Sequence, residues 1–162
     1  MREAQNIAPR LKARGWRLAV AESCTGGLLG HEITQVSGSS AYFLGGVISY
    51  ADDVKMNLLG VSEASLIRWG AVSAQVALEM AAGVCRCTGA EVGLSITGIA
   101  GPTGGSEGKP VGLVWIGLAW EGGVEARRYV FPGDRAGVRL RSALAALNSL
   151  RLALLGEPEP PA

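Results

Sequence analysis

A short apolar run turns polar within two residues and then meets a glycine pair, and this limits the folds open to the chain more than any other feature. It is Leu18 to Gly27, Leu-Ala-Val-Ala-Glu-Ser-Cys-Thr-Gly-Gly. Leu18 to Ala21 has the length of a strand buried on both faces. Beyond the glycines, Leu28-Leu29, Ile33 and Val36 recur at helical spacing. Strand, tight loop and helix form the unit of a parallel α/β sheet, whose loops lie at the carboxyl ends of the strands, where ligands bind. Two readings of Ser23 are open at this point. Its hydroxyl lies beside the unpaired amides of a helix start, which favour developing negative charge and suit a nucleophile with an oxyanion hole. Alternatively, Ser23 or Thr25 caps the helix and the glycines only turn the chain.

The same alternation runs on along the chain. Glu3 to Arg14 reads as an opening helix with Ile7 and Leu11 on one face, against Pro9, which removes an interior amide. Arg17 to Ala21 is the first strand, Gly27 to Val36 the first crossover helix, and Ser37 to Ser40 a connector of small residues. Tyr42 to Tyr50 is the second strand, where Gly45-Gly46 mark a bulge or a close backbone approach. Helices are expected over Asp52 to Leu59, with carboxylates at the positive end of the dipole, and over Glu63 to Trp69 behind Ser62. A longer one spans Ala74 to Cys87, between a Ser73 cap and Gly89. Val76, Met80 and Val84, four apart, are its core residues. Glu91 to Thr97 is a strand, followed by the glycine-rich loop Gly98 to Pro110. Val111 to Trp120 and Glu125 to Phe131 are strands joined through Glu121-Gly122-Gly123, the strongest hairpin signal in the chain. Asp134 caps a helix ending near Leu155, and the proline-rich tail 156–162 is expected to be disordered. The expectation is one domain over 1–162 with an α/β fold, a three-layer α/β/α sandwich whose mostly parallel mixed sheet carries one antiparallel hairpin.

Composition narrows the function. With 162 residues, 48% of them hydrophobic, the chain buries roughly two thirds of its unfolded surface. A net charge of +1 and 6% aromatic residues argue against a nucleic-acid partner, which calls for a basic face and stacking platforms. No window approaches the roughly 18 continuous apolar residues that cross a bilayer, and Met1 to Arg14 is too charged for a signal peptide. The 3 cysteines include Cys85-Arg86-Cys87, which is not CxxC, so a reducing, cytoplasmic location is expected. His31 is the only histidine, so a metal site is not expected.

If the strands before Ser23, Tyr50 and Thr97 are parallel neighbours, their loops gather Glu22, Ser23, Tyr50, Lys55, Thr97 and the Gly98 to Pro110 loop at one edge. The chemistry this points to is a serine nucleophile with a lysine base, provided burial or nearby cations lower the lysine pKa. Lys55 stands alone among Val54, Met56, Leu58 and Leu59, which allows desolvation; the alternative is a solvated side chain paired with Asp52 or Asp53. Tyr50 is either a packing aromatic or a proton relay. Several motifs are absent. Tyr50 and Lys55 are five apart rather than four, Gly108-Lys109 is followed by Pro110 rather than Ser or Thr, and Glu22-Ser23-Cys24 is not a GxSxG elbow.

The runs Ala-Glu-Ser-Cys-Thr-Gly-Gly (21–27), Gly-Gly-Val-Ile-Ser-Tyr (45–50) with Lys55, Thr-Gly-Ile-Ala-Gly-Pro (97–102) with Lys109-Pro110-Val-Gly, and Gly-Asp-Arg-x-x-x-Arg (133–139) occur in this order. Together they resemble the CinA carboxy-terminal domain family, whose members are nicotinamide mononucleotide amidases, over about Leu11 to Leu155. The resemblance implies hydrolysis of the carboxamide of nicotinamide mononucleotide, without cofactor or metal. Ser23 would be the nucleophile, Lys55 the general base and Tyr50 a positioning or proton-relaying partner. Thr97 and its loop would contact substrate and Arg139 would lie near the site. The expected substrate-binding set is Glu22, Thr25, Gly26, Gly46, Thr97, Gly98, Gly101 and Arg139. Arg139 falls one turn beyond Arg135, and each is either a phosphate ligand or a surface charge. Larger family members carry an additional pyrophosphatase domain, so the resemblance implies the amidase activity alone. A homo-oligomer, taken as a dimer, is expected; Trp69 is either at its interface or in the core. The rival readings are a catalytically silent nucleotide-binding module and an amidohydrolase acting on another small amide.

Overall fold

The computed structural model describes residues 2–156, so the tail 157–162 lies outside the described residues. In chain order the elements are α1 (Arg2–Arg14), β1 (Leu18–Glu22), α2 (Leu28–Thr34), a 3-10 turn (Ser39–Ala41), β2 (Phe43–Ile48), α3 (Asp52–Leu59), α4 (Glu63–Trp69), α5 (Ala74–Thr88), β3 (Val92–Gly98), β4 (Leu113–Trp120), β5 (Gly123–Val130) and α6 (Arg135–Leu155). The sheet runs in the order β2-β1-β3-β4-β5. β1 pairs in parallel with β2 and with β3, whereas β4 is antiparallel to both of its neighbours. The fold is α/β with a mixed sheet. Among the described residues, no helix is long and apolar enough to cross a membrane.

Strand β1 shows why the sheet sits between two layers. Leu18 and Val20 join a core with Ile7 and Leu11 of α1, Leu29 and Ile33 of α2, and Ala143 and Leu147 of α6. Ala19 and Ala21 point the other way, onto Leu59 of α3 and Val76, Met80 and Val84 of α5. Leu18 to Ala21 are thus buried on both faces of the sheet, and this is the apolar run of the sequence. Pro9 does not interrupt α1, because it stands on the exposed side, where solvent can serve the carbonyl its ring leaves unpaired. In β2 the register slips between Phe43 and Gly45, Gly45 has φ +135°, and a Cβ on Gly46 would strike the Val20 main chain. The glycine pair thus makes both a bulge and a close approach. The hairpin closes with Trp120 opposite Gly123, so β5 begins two residues earlier than expected.

Helix α5 is seated unusually close to its neighbours. A Cβ on Gly93 or Gly117 of the sheet would meet its main-chain carbonyls, and a Cβ on its own Gly83 would meet the Leu59 carbonyl of α3, 2.7 Å from the carbon. Ser95 adds a hydrogen bond from its hydroxyl to the Ala77 carbonyl, 2.6 Å. Gly83 therefore sets the depth at which α3 docks. Replacing it with alanine gains about 1 kcal/mol of helix propensity, but overpacking against main chain costs about 1–3 kcal/mol. Gly83→Ala is expected to lower the melting temperature by several degrees, at about 2–4 °C per kcal/mol for a chain of this size, and to lower activity as α3 shifts. An unchanged melting temperature would show that α3 docks loosely.

Candidate active site

Because β1, β2 and β3 are parallel and adjacent, the residues that follow them emerge at one edge of the sheet. A cavity of about 280 Å³ opens there, lined by Ser23, Tyr50, Asp52, Lys55, Thr97 and Arg135, together with residues 98–101. Ser23 is held through its main chain: its amide donates to the Ile96 carbonyl of β3, 3.0 Å, and its carbonyl accepts from the Gly26 amide, 3.1 Å.

Lys55 is the most constrained side chain in this cavity. It shares the inner face of α3 with Leu59, four residues on, and is 1% exposed. Its Nζ donates to the Ser49 carbonyl at 2.6 Å and the Tyr50 carbonyl at 3.2 Å, and lies 3.1 Å from Ser23 Oγ. The solvated reading of Lys55 is thereby corrected, although Asp52 Oδ1 does stand 3.9 Å away. Burial pushes the Lys55 pKa below the ordinary lysine value, and the Asp52 carboxylate partly opposes this. The two carbonyls accept only, so they occupy both N–H bonds of a neutral amine and leave its lone pair facing the Ser23 hydroxyl. The amine and the hydroxyl thus stand within hydrogen-bond distance of each other.

The turn after β1 differs from the sequence expectation. Neither Ser23 nor Thr25 caps α2; Gly27, at φ 106°, is the N-cap and no side chain at that position bonds to the helix. The cap is Glu22 instead. Its Oε1 accepts from the amides of Gly27 at 3.2 Å and Leu29 at 2.9 Å, and its Oε2 from Gly30 at 3.0 Å. A buried carboxylate on a positive helix end satisfies both, and it removes those amides as an oxyanion hole. The Leu28 amide is also engaged, by the Thr25 carbonyl. Thr25 Oγ1 is buried without a partner.

Tyr50 Oη, at the exposed mouth, takes a hydrogen bond from Arg135 at 3.2 Å; it is the main-chain carbonyl of Tyr50 that meets Lys55. Thr97 Oγ1 donates to the Ala71 carbonyl, 2.8 Å, while its residue borders the cavity with Gly98 and Gly101. Arg139 does not border it. Its Nε and Nη2 donate to the Cys24 carbonyl at 3.1 Å and the Thr25 carbonyl at 2.9 Å, bracing the turn from behind. Arg135 is the guanidinium that reaches the cavity, anchored on the Gly101 carbonyl at 2.9 Å. Glu22, Thr25, Gly26 and Gly46 are likewise not on the cavity wall. Gly26 packs next to Arg139, and Gly46 belongs to the contact of β2 with β1. Asp52 was read from the sequence only as a helix-start charge and a lysine partner; its spacing of three from Lys55 was the available signal. Burial pushes the Cys24 thiol up to about 11, so it stays protonated at neutral pH. Trp69 is half exposed under the Arg68 guanidinium, at 4.6 Å, and is not a core residue.

Known proteins share this arrangement of chain. The family model described as CinA C-terminal domain matches residues 2–154. A relative from Enterobacter agglomerans, named nicotinamide-nucleotide amidohydrolase PncC, is 51% identical over 144 residues, 88% of each chain. A putative competence-damage inducible protein of Moorella thermoacetica is 50% identical over 149 residues, 92% of this chain but 36% of its own length. This chain thus spans little more than a third of that relative, and others of similar length are named only CinA-like. Among solved structures, a CinA superfamily protein from Klebsiella pneumoniae superposes with a TM-score of 0.92 at 35% identity, covering 96% of this chain and 97% of its own. CihA of Agrobacterium tumefaciens gives 0.91 at 38%, covering 95% and 94%. Sequence and fold agree from α1 to α6, and the chain belongs to the CinA C-terminal domain family.

Proposed function

We propose that this chain hydrolyses the carboxamide of nicotinamide mononucleotide to nicotinic acid mononucleotide and ammonia, with Ser23 as nucleophile and Lys55 as its base. The observation that carries the reading is the 3.1 Å approach of Lys55 Nζ to Ser23 Oγ inside the cavity. The name of the Enterobacter agglomerans relative supports the substrate. Ser23 Oγ attacks the carboxamide carbon while Lys55 takes the hydroxyl proton. The resulting ammonium returns that proton to the departing amine, leaving an ester on Ser23. Lys55, neutral again, activates water against the ester, and the nicotinate is released. The developing oxyanion needs a donor beside Ser23. Among the described residues the amide of Cys24, next in the chain, bonds to no main-chain acceptor, and it fills that role in place of the α2 amides.

The two arginines take different parts. Arg135, at the cavity mouth, suits the substrate phosphate, whereas both donor nitrogens of Arg139 named above are spent on the turn that carries the nucleophile. Arg135→Ala is expected to raise KM about 10-fold or more with kcat little changed, and Arg139→Ala to lower kcat with a smaller change in KM. The reverse pattern would exchange the assignments. The function itself is tested by ammonia release from nicotinamide mononucleotide, before and after dialysis against chelator. Turnover indifferent to the chelator is expected, because nucleophile and base are already in contact. Tight binding without ammonia release would make the chain a silent nucleotide-binding module, and release from other amides in preference would change the substrate.

A further inference from the structure

The cavity at Ser23 carries an acid that the amide chemistry does not use. Asp52 lines it with a side chain 58% exposed that, among the described residues, makes no hydrogen bond and has no cation nearer than Lys55 Nζ at 3.9 Å. Arg135, which also borders the cavity, is engaged instead by the Gly101 carbonyl and the Tyr50 hydroxyl. The site therefore holds a negative charge near the reacting atoms whose single ion-pair contact is the long one to Lys55, and a positive charge at its mouth.

We infer that Asp52 is a specificity-determining residue that selects for a positive charge on the ring bearing the scissile amide. The inference rests on the amidase reading above and deepens it. For attack, the carboxamide carbon must come within about 3–3.5 Å of Ser23 Oγ. In a pyridinium carboxamide the ring nitrogen is only two ring bonds from the carbon that bears the amide. Its charge consequently arrives in the part of the cavity where Lys55 and Asp52 stand. A protonated Lys55 would repel that ring. A neutral Lys55 leaves the Asp52 carboxylate free to attract it. Asp52 thus exchanges one cation for another: the lysine ammonium in the empty site, the substrate ring in the occupied one. Binding of a cationic ring favours the neutral amine that the base must be, and a neutral ring of the same shape gains neither effect. The Tyr50 ring, 62% exposed at the same wall, offers an aromatic edge or face to that cation as well.

The test separates charge from shape. Binding is measured by calorimetry in the Ser23→Ala protein, with nicotinamide mononucleotide and with its neutral isostere, the benzamide riboside 5′-phosphate. Asp52→Asn added to that protein is expected to weaken the cationic ligand about 5- to 10-fold, as for a half-exposed charge a few ångströms away, and to leave the isostere within about twofold. Asp52→Glu is expected to restore the preference. Equal losses for both ligands, or no loss for either, would overturn the inference while leaving ammonia release by the unmodified chain as support for the amidase reading. If neither ligand binds and the unmodified chain releases no ammonia, both readings fall together.

Discussion

Ser23→Ala is expected to reduce ammonia release from nicotinamide mononucleotide by on the order of 10⁴-fold or more, because in the proposed mechanism it removes the atom that forms the covalent intermediate. The substitution deletes a single oxygen from a residue that is 9% exposed and whose main chain is fixed by Ile96 and Gly26. Lys55 retains its two carbonyl partners, so neither N–H of the neutral amine is orphaned and only the lone pair that faced the hydroxyl loses its partner. The melting temperature is therefore expected to move by no more than a few degrees, and the mononucleotide is expected to bind with near-native affinity. A folded Ser23→Ala protein that kept a tenth of the unmodified turnover would end the nucleophile assignment. Denaturing mass spectrometry of the unmodified chain, quenched during turnover, should show the nicotinate ester on the peptide containing Ser23.

How much of this was legible in the sequence depends on whether a local pattern or a tertiary angle decides the feature. Leu18 to Ala21 announced a doubly buried strand, Asp134, Ser62 and Ser73 announced their helices, and all three serve as caps in the structure. These are nearest-neighbour effects. The convergence of three loops followed from strand order, which the alternation of strands and helices made probable but did not fix. Glu22 shows the opposite case. A carboxylate five residues before the N-cap reaches the α2 amides only because the chain doubles back through Gly26 and Gly27, both at positive φ. No local propensity encodes that reversal. Arg135 and Arg139 of α6 lie one helical turn apart, and the phase of α6 against the sheet edge decides which reaches the cavity. Val138, fully buried, holds the neighbouring Arg139 over the Ser23 turn, whereas Arg135 stands at the first residue of the helix. The sequence motif drew attention to the arginine that braces the turn; the cavity receives the other.

Lys55→Met carries the second large effect, and it separates catalysis from stability. Loss of the general base is expected to lower turnover about 10²- to 10⁴-fold. In the proposed mechanism the active form is the neutral amine, so kcat should fall as pH drops through the depressed Lys55 pKa and level off above it. That limb should vanish in Lys55→Met. Stability should follow pH in the same direction. A lysine whose pKa is lowered on folding binds fewer protons in the folded than in the unfolded chain over the window between its depressed value and the ordinary one. The unmodified protein therefore gains stability as pH rises through that window and bears the cost of a buried ammonium below it. Methionine fills a similar volume without that cost, while the Ser49 and Tyr50 carbonyls lose a donor. At neutral pH these effects oppose one another, and Lys55→Met is expected to melt within a few degrees of the unmodified chain. As pH is raised from 7 to 10, the unmodified chain should gain on the variant. A difference in melting temperature that stays flat over that range would mean that Lys55 titrates like an exposed lysine, and a base with an ordinary pKa could not drive this reaction near neutrality.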